Sequence, residues 1–305
     1  MNRKYRLSSV ILVVFILIIS LFTGCKGGKK GSDQNVTVKM PQDNAVILQD
    51  IKQAEKIFNA LPSPLESAML IKSAGARFDA NLLNPVTNVN TYVTNKSQAL
   101  NLGVYTCDLS FASLYEQTQL LIDYMNAAKK MADGLGILKA IEQDDIDKLE
   151  ENINNVDVIM DVVSQTFMNS NSYLEDNGQP ATAAMVLVGG WIEGLYISTQ
   201  LVDMKEFNGN KLVGRIIDQK LSIDILLNLL KSSKGNPAVD ELIIQVTKLS
   251  SVFDKISIKT GPVRSEFDAA TNTTILKSEV KTDMTPVTFK ELSIVVAEIR
   301  NSFVK

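Results

Sequence analysis

Pro180 to Met204 reads PATAAMVLVGGWIEGLYISTQLVDM. Its proline stands at the first position, where a helix needs no amide proton, and Glu193 is the one charged side chain before Asp203. Apolar residues recur at helical spacing here and through most of Gln49 to Ile256. Proline is scarce over that span and alternating strand patterns are nearly absent, so the chain reads as all-α.

Working outward from this segment, about eight helices are predicted. The first spans Leu48 to Leu61. A second opens at Ser63-Pro64-Leu65-Glu66, a capping box with Ser63 as N-cap and Glu66 three residues on, and runs to Gly75. Asn84-Pro85 then breaks the chain into a loop with a short helix near Val89 to Thr94. Long stretches follow at Ser97–Tyr115, Glu116–Asp133, Asp144–Leu174, Pro180–Met204, Lys211–Lys231 and Pro237–Ile256. Gly134-Leu135-Gly136, Asn177-Gly178, Gly209 and Gly235 are the stop signals between them. Connections this short favour an antiparallel multi-helix bundle or stacked helix pairs. Residues 257–285 carry Gly261-Pro262 and Asn272-Thr273-Thr274 among β-branched residues, which predicts an irregular segment or small β-hairpin. Thr288-Phe289-Lys290-Glu291 reads as a second capping box, opening a last helix that ends near Phe303. Residues 48–305 are expected to form a single domain. Gly103 to Leu109 can be laid on Gly189 to Leu195 with three similar positions in seven, as a duplicated unit or merely two buried helices would give.

The N-terminus is organised differently. Arg3, Lys4 and Arg6 precede an apolar run from Val10 to Phe22, too short for the ~20 residues that span a bilayer. Leu21-Phe22-Thr23-Gly24-Cys25 resembles the bacterial lipoprotein signal, with Phe22 standing where a smaller aliphatic residue is commoner; an uncleaved short signal anchor is the alternative. The resemblance implies cleavage after residue 24 and lipidation of Cys25 by a diacylglyceryl group and an N-acyl chain such as palmitate. Two or three chains give stable membrane attachment, where one alone is marginal. Residues 25–47 are then the lipidated cysteine and a flexible tether, beginning KGGKKGSDQN at Lys26. Loss of the first 24 residues removes three positive charges, taking the net charge of −3 to −6 on a chain of 281 residues. Nothing in that balance suggests nucleic-acid binding. The expected location is the cell envelope, outside the cytoplasm, with the outer membrane favoured.

Composition narrows the chemistry. With 45% hydrophobic, 21% charged and 6% aromatic residues, the 305-residue chain is globular rather than disordered, collagen-like or disulfide-dense. It contains no histidine, which removes Ser-His-Asp and Cys-His nucleophile systems, imidazole acid/base catalysis and His-ligated metal sites. Cys107 is the only cysteine besides Cys25, so the mature domain has no internal disulfide. Ser278-Glu279-Val280-Lys281 and Lys259-Thr260-Gly261 match fragments of the penicillin-recognising serine enzymes, but in reversed order and too close together. Asp144-Asp145-Ile146-Asp147 lacks the glycine and glutamate of a calcium loop and reads as the acidic first turn of a helix. No metal or cofactor is expected, and no catalytic residue is assigned.

Two acids in apolar helices remain. At ~100° per residue, Asn101, Tyr105, Asp108, Ala112, Tyr115 and Gln119 share one stripe whose flanks carry Leu102, Cys107, Leu109 and Leu114, marking a central helix. Glu193 follows Gly189 and Gly190, with Trp191, Tyr196 and Gln200 nearby in sequence. A carboxylate in such a place must be paired, hydrogen-bonded or protonated. One reading makes Asp108 and Glu193 structural acceptors that fix helix register. The other places Tyr105, Asp108, Tyr115, Trp191, Glu193 and Tyr196 around a cleft for a small polar or cationic ligand.

The pattern of Leu61-Pro62-Ser63-Pro64-Leu65-Glu66, Asn101-Leu102-Gly103-Val104-Tyr105 leading to Asp108-Leu109, and Glu298-Ile299-Arg300-Asn301-Ser302 resembles uncharacterised all-helical lipoproteins of Bacteroidota-type bacteria. The resemblance implies fold and location and is silent on chemistry. The expectation is therefore a non-enzymatic, membrane-anchored protein that acts by binding, as an envelope adaptor or small-solute binder. Its expected partners are membrane lipid, through acylated Cys25, and a small polar ligand or an envelope protein. A structural lipoprotein docking a protein partner is the alternative. A glycan hydrolase using Asp108 and Glu193 comes third.

Overall fold

The computed structural model describes residues 61–305 apart from 142, 263, 269–272 and 278–279. The leader, Cys25, the tether and all but the last residue of the first expected helix lie outside the described residues. The described part belongs to the unit Ile47–Lys305 and is mainly helical, an all-α fold.

Helix α1, Pro64–Ser73, starts as its capping box requires: the Ser63 hydroxyl accepts from the Glu66 amide, and the Glu66 carboxylate accepts from the Ser63 amide. Two 3₁₀ turns, Ala80–Leu82 and Val86–Thr91, stand where a loop and a short helix near Val89 were expected. Helix α2, Asn95–Leu114, is capped by Thr94, whose side chain and that of Ser97 exchange hydrogen bonds with each other's amides. Glu116, at φ 59°, turns the chain into α3, Thr118–Gly134. The expected stripe therefore ends at Tyr115, the C-cap, and Gln119 lies on the next helix, donating to Asp123.

The single helix expected over Asp144–Leu174 is instead α4, Gln143–Glu151, and α5, Val156–Asp176. Asn152-Ile153-Asn154-Asn155 separates them. The Asn152 side chain donates to the Lys148 carbonyl and that of Asn155 accepts from the Val158 amide, so each asparagine takes a backbone partner at a helix end. Asp144 and Asp145 lie in the first turn of α4, as read from the sequence. Helices α6, Pro180–Gln200, α7, Lys211–Ser232, and α8, Pro237–Phe253, follow close to their expected bounds.

The segment after α8 forms a two-level antiparallel hairpin. Strand β1, Ile258–Thr260, pairs with β4, Val280–Thr282, and β2, Arg264–Asp268, pairs with β3, Thr273–Lys277. The arm from Thr260 to Arg264 is one residue longer than that from Lys277 to Val280, so the register shifts by one between the two ladders. Helix α9, Pro286–Phe303, does not use the expected Thr288 box. Thr285 is its N-cap, accepting from the Thr288 amide, because Pro286 occupies the first helical position and has no amide proton to leave unsatisfied.

Helices α2 and α6 form the centre, in contact along much of their length, with α1, α3, α5, α7 and α9 around them. Every residue of α2 from Ala99 to Leu114 is buried. Helix α6 is long and apolar enough to cross a membrane but is mostly buried inside the domain. The two meet backbone to backbone. A methyl group on Gly103 would lie 2.0 Å from the Val186 carbonyl oxygen and 2.5 Å from the Gly190 amide, and one on Gly189 would lie 2.0 Å from the Leu100 carbonyl oxygen. Gly190 and Gly194 make room for the side chains of Pro64 and Ser67 of α1. The similarity between residues 103–109 and 189–195 thus falls on two helices that each need glycine at one mutual crossing.

Gly103→Ala or Gly189→Ala should cost about 3 kcal/mol or more in urea unfolding, because the obstacle is backbone rather than a movable side chain. Gly214→Ala on α7, where a methyl group meets nothing within 4 Å, should gain ~0.5–1 kcal/mol from reduced chain entropy in a helix interior.

Candidate functional site

The crossing of α2 and α6 brings Asp108 and Glu193 together in the middle of the domain, both with 0% exposure. Their surroundings come from four parts of the chain. From α9, Arg300, 6% exposed, donates Nε to Glu193 Oε2 at 2.9 Å and Nη2 to Oε1 at 3.0 Å, a bidentate ion pair. The same Nη2 donates to the Leu82 carbonyl at 3.1 Å, and the guanidinium carbon lies 4.7 Å from the Tyr196 ring centroid. All the groups that offset the burial of this charge are therefore present: a counter-ion, a carbonyl and an aromatic face.

Asp108 is held from the other side. Its Oδ2 accepts from the Asn84 amide at 3.0 Å, while Oδ1 receives no donor. Burial raises its carboxyl well above the usual range, and the negative charge of Glu193 beside it raises it further. Burial also raises Glu193, against the opposing pull of Arg300. Since Glu193 carries the guanidinium partner, the charge favours Glu193 and the proton favours Asp108.

Around this pair runs a buried polar net. The Asn84 side chain donates to Asn101 Oδ1 at 3.0 Å and to the Tyr92 hydroxyl at 3.1 Å. Asn101 donates to the Phe303 carbonyl at 2.8 Å, and the Tyr92 hydroxyl donates to the Val304 carbonyl at 3.1 Å. These two bonds satisfy carbonyls that the end of α9 would otherwise leave unpaired. Tyr105 donates to the Pro85 carbonyl at 3.2 Å, and burial pushes its hydroxyl far above the ordinary tyrosine range.

Of the six residues expected around a cleft, Tyr105, Asp108, Glu193 and Tyr196 belong to this centre. Tyr115 does not: its ring packs at a tilt against Phe111 and Phe78, and its hydroxyl donates to the Ala76 carbonyl. Trp191 points to α7, donating Nε1 to Gln219 Oε1 at 3.2 Å. Cys107 is fully buried, and burial and the neighbouring acids raise its thiol well above the ordinary value, so it carries no thiolate. The sequence reading missed Arg300, Asn84 and Tyr92. A signal for Arg300 existed, since it falls on the apolar stripe of α9 formed by Leu292, Val295, Val296, Ile299 and Phe303. The Asn84 and Tyr92 partnerships had none, because they depend on how residues 82–92 return to α2.

No group of three or more His, Cys, Asp or Glu among the described residues is placed to hold a metal ion. No protein-family model matches the chain, and no curated protein or solved structure matches it.

Removing one member of the ion pair should be worse than removing both. Arg300→Met, which leaves the buried Glu193 charge alone, should cost about 3–5 kcal/mol in denaturant unfolding, and Glu193→Leu/Arg300→Met markedly less than the two single losses together. A strictly additive cycle would mean that the two charges are not coupled.

A second outcome concerns pH. Native Asp108 holds a proton that the unfolded chain releases above pH ~4, so the stability it contributes is complete below that value and falls as pH rises toward its raised native value. Asn in its place keeps both the acceptor for the Asn84 amide and a permanent donor toward Glu193. Asp108→Asn should lose less stability than the wild type between pH 5 and pH 8 in urea titrations; Glu193, also raised, contributes a residual slope of the same sign. An equal or steeper slope in the variant would place the proton elsewhere.

Proposed function

We propose that the protein is a lipid-anchored, extracytoplasmic helical lipoprotein that acts by binding rather than by catalysis. The observation that carries the reading is the state of its most distinctive groups. Asp108 and Glu193 have no exposed surface and already hold partners, so a glycan could not reach them without opening the core. Their aromatic neighbours donate to backbone carbonyls and serve the same closed net. The centre therefore acts as a clamp on the fold, and the binding surface lies elsewhere on the domain. The absence of histidine and the buried, protonated thiol of Cys107 agree with a non-enzymatic role.

The anchor rests on Leu21-Phe22-Thr23-Gly24-Cys25 and the lysine- and glycine-rich tether behind it. A doubly or triply acylated cysteine would hold the domain at the envelope, with the tether setting its distance from the lipid. Metabolic labelling with a radioactive fatty acid should mark the full-length protein and not Cys25→Ala, and the variant should leave the membrane fraction. Equal labelling of the two proteins would remove the lipoprotein reading.

A further inference from the structure

Where α2 ends and α3 begins, the chain encloses a pocket of about 410 Å³ together with the start of α5. Ser113, Glu116, Thr118, Leu121, Ile153 and Val156 are among its walls. The turn that carries the first three is fixed by its own backbone: the Glu116 amide donates to the Ser113 carbonyl and the Gln117 amide to the Ala112 carbonyl, both at 2.9 Å. The other carbonyls at this end of α2 are engaged as well. That of Phe111 accepts from the Tyr115 amide, that of Leu114 from Lys72 Nζ, and that of Tyr115 from the Gln117 side chain.

The donors are not engaged. The amides of Thr118, Gln119 and Leu120 have no acceptor among the described residues, since the N-cap Gln117 makes no side-chain cap and the first turn of α3 has no acidic residue. The facing end of α5 is closed by Asn155, which accepts from the Val158 amide. A second observation points the same way. Ser113 is 2% exposed and its hydroxyl has no hydrogen-bond partner, whereas Thr106 and Ser110 on the same helix each donate to the carbonyl four residues back. A serine side chain is so short that a pocket lined by Ser113 lies within reach of its hydroxyl. The open amides and this hydroxyl call for an acceptor, and the positive end of a 17-residue helix calls for an anionic one.

One charge opposes a simple anion. Glu116 lies on the lining and makes no ion pair or hydrogen bond among the described residues. It stands two residues before Thr118, so the two Cα atoms are at most ~7.6 Å apart. A ligand that satisfies both ends must carry a carboxylate and a cation close together, as an α-amino acid does across a single carbon. Leu121, Ile153 and Val156 supply apolar wall for its side chain. We infer that this pocket binds an aliphatic α-amino acid as its zwitterion, the carboxylate on the α3 amides and the Ser113 hydroxyl, the ammonium on Glu116 and the side chain against Leu121, Ile153 and Val156. The inference deepens the binding reading and rests on it.

The probe is tritiated L-leucine, dialysed to equilibrium against the full-length protein in detergent micelles. Uptake should be saturable and displaced by unlabelled leucine, but not by 4-methylpentanoate, which lacks the ammonium, or by leucinamide, which lacks the carboxylate. Ser113→Ala should weaken binding about tenfold or more, the loss of a hydrogen bond to a charged group, with the melting temperature unchanged or higher because the hydroxyl has no partner in the free protein. Gln117→Asp supplies a capping carboxylate that takes the same amides, so it should abolish binding while raising the melting temperature. Glu116→Gln should weaken leucine about threefold, as loss of an exposed ion pair does, and let 4-methylpentanoate compete. No saturable uptake, equal displacement by leucinamide, or unchanged affinity in Ser113→Ala would each overturn the inference. Membrane attachment does not depend on this pocket, so those results would leave the anchored, non-enzymatic reading in place, whereas equal fatty-acid labelling of the wild type and Cys25→Ala would remove the anchor and leave leucine binding untouched.

Discussion

The backbone crossing of α2 and α6 is the constraint on which the rest of the structure depends. Gly103, Gly189 and Gly190 let the two helices approach until a single added methyl group would strike a carbonyl oxygen. At that separation Asp108, five residues beyond Gly103, and Glu193, four beyond Gly189, face the same interior. Two carboxyl groups placed so closely in a low-dielectric core cannot both be ionised. One is neutralised by its own proton and the other by a guanidinium brought in from α9.

The clamp that results joins chain segments far apart in sequence. Arg300 ties α9 to α6 and to the turn at Leu82, while Asn84, Tyr92 and Asn101 tie that turn to α2 and to the last carbonyls of α9. Buried charge is a weak source of net stability, since a well-packed apolar replacement often does as well. What it adds here is selectivity. A helix shifted by one turn would leave a full charge or several backbone groups unpaired, so the polar net admits one arrangement of α2, α6 and α9. The same closure makes this centre a poor place for a ligand.

The helical class, most helix bounds and the buried character of α2 and α6 could be read from spacing, proline positions and glycine stops, because these are local effects that act over one or two turns. The errors were also local in origin. Asn152 to Asn155 divided a predicted helix through side-chain bonds to the backbone, and Pro286 moved a cap from Thr288 to Thr285. That Asp108 and Glu193 would need partners followed from their apolar neighbours alone.

Which partners they found did not follow. Arg300 is 107 residues from Glu193 and Asn84 is 24 from Asp108, and no periodicity encodes a meeting at that range. Tyr115 and Trp191, which share a helix with the acids or border them in sequence, were carried to other contacts by the direction in which each side chain leaves its helix. The sequence by itself determined the helices, their buried faces and the demand for a compensated charge at the centre. Tertiary structure alone decided which residue met that demand, because the choice depends on the angle and depth at which two glycine-bearing helices cross.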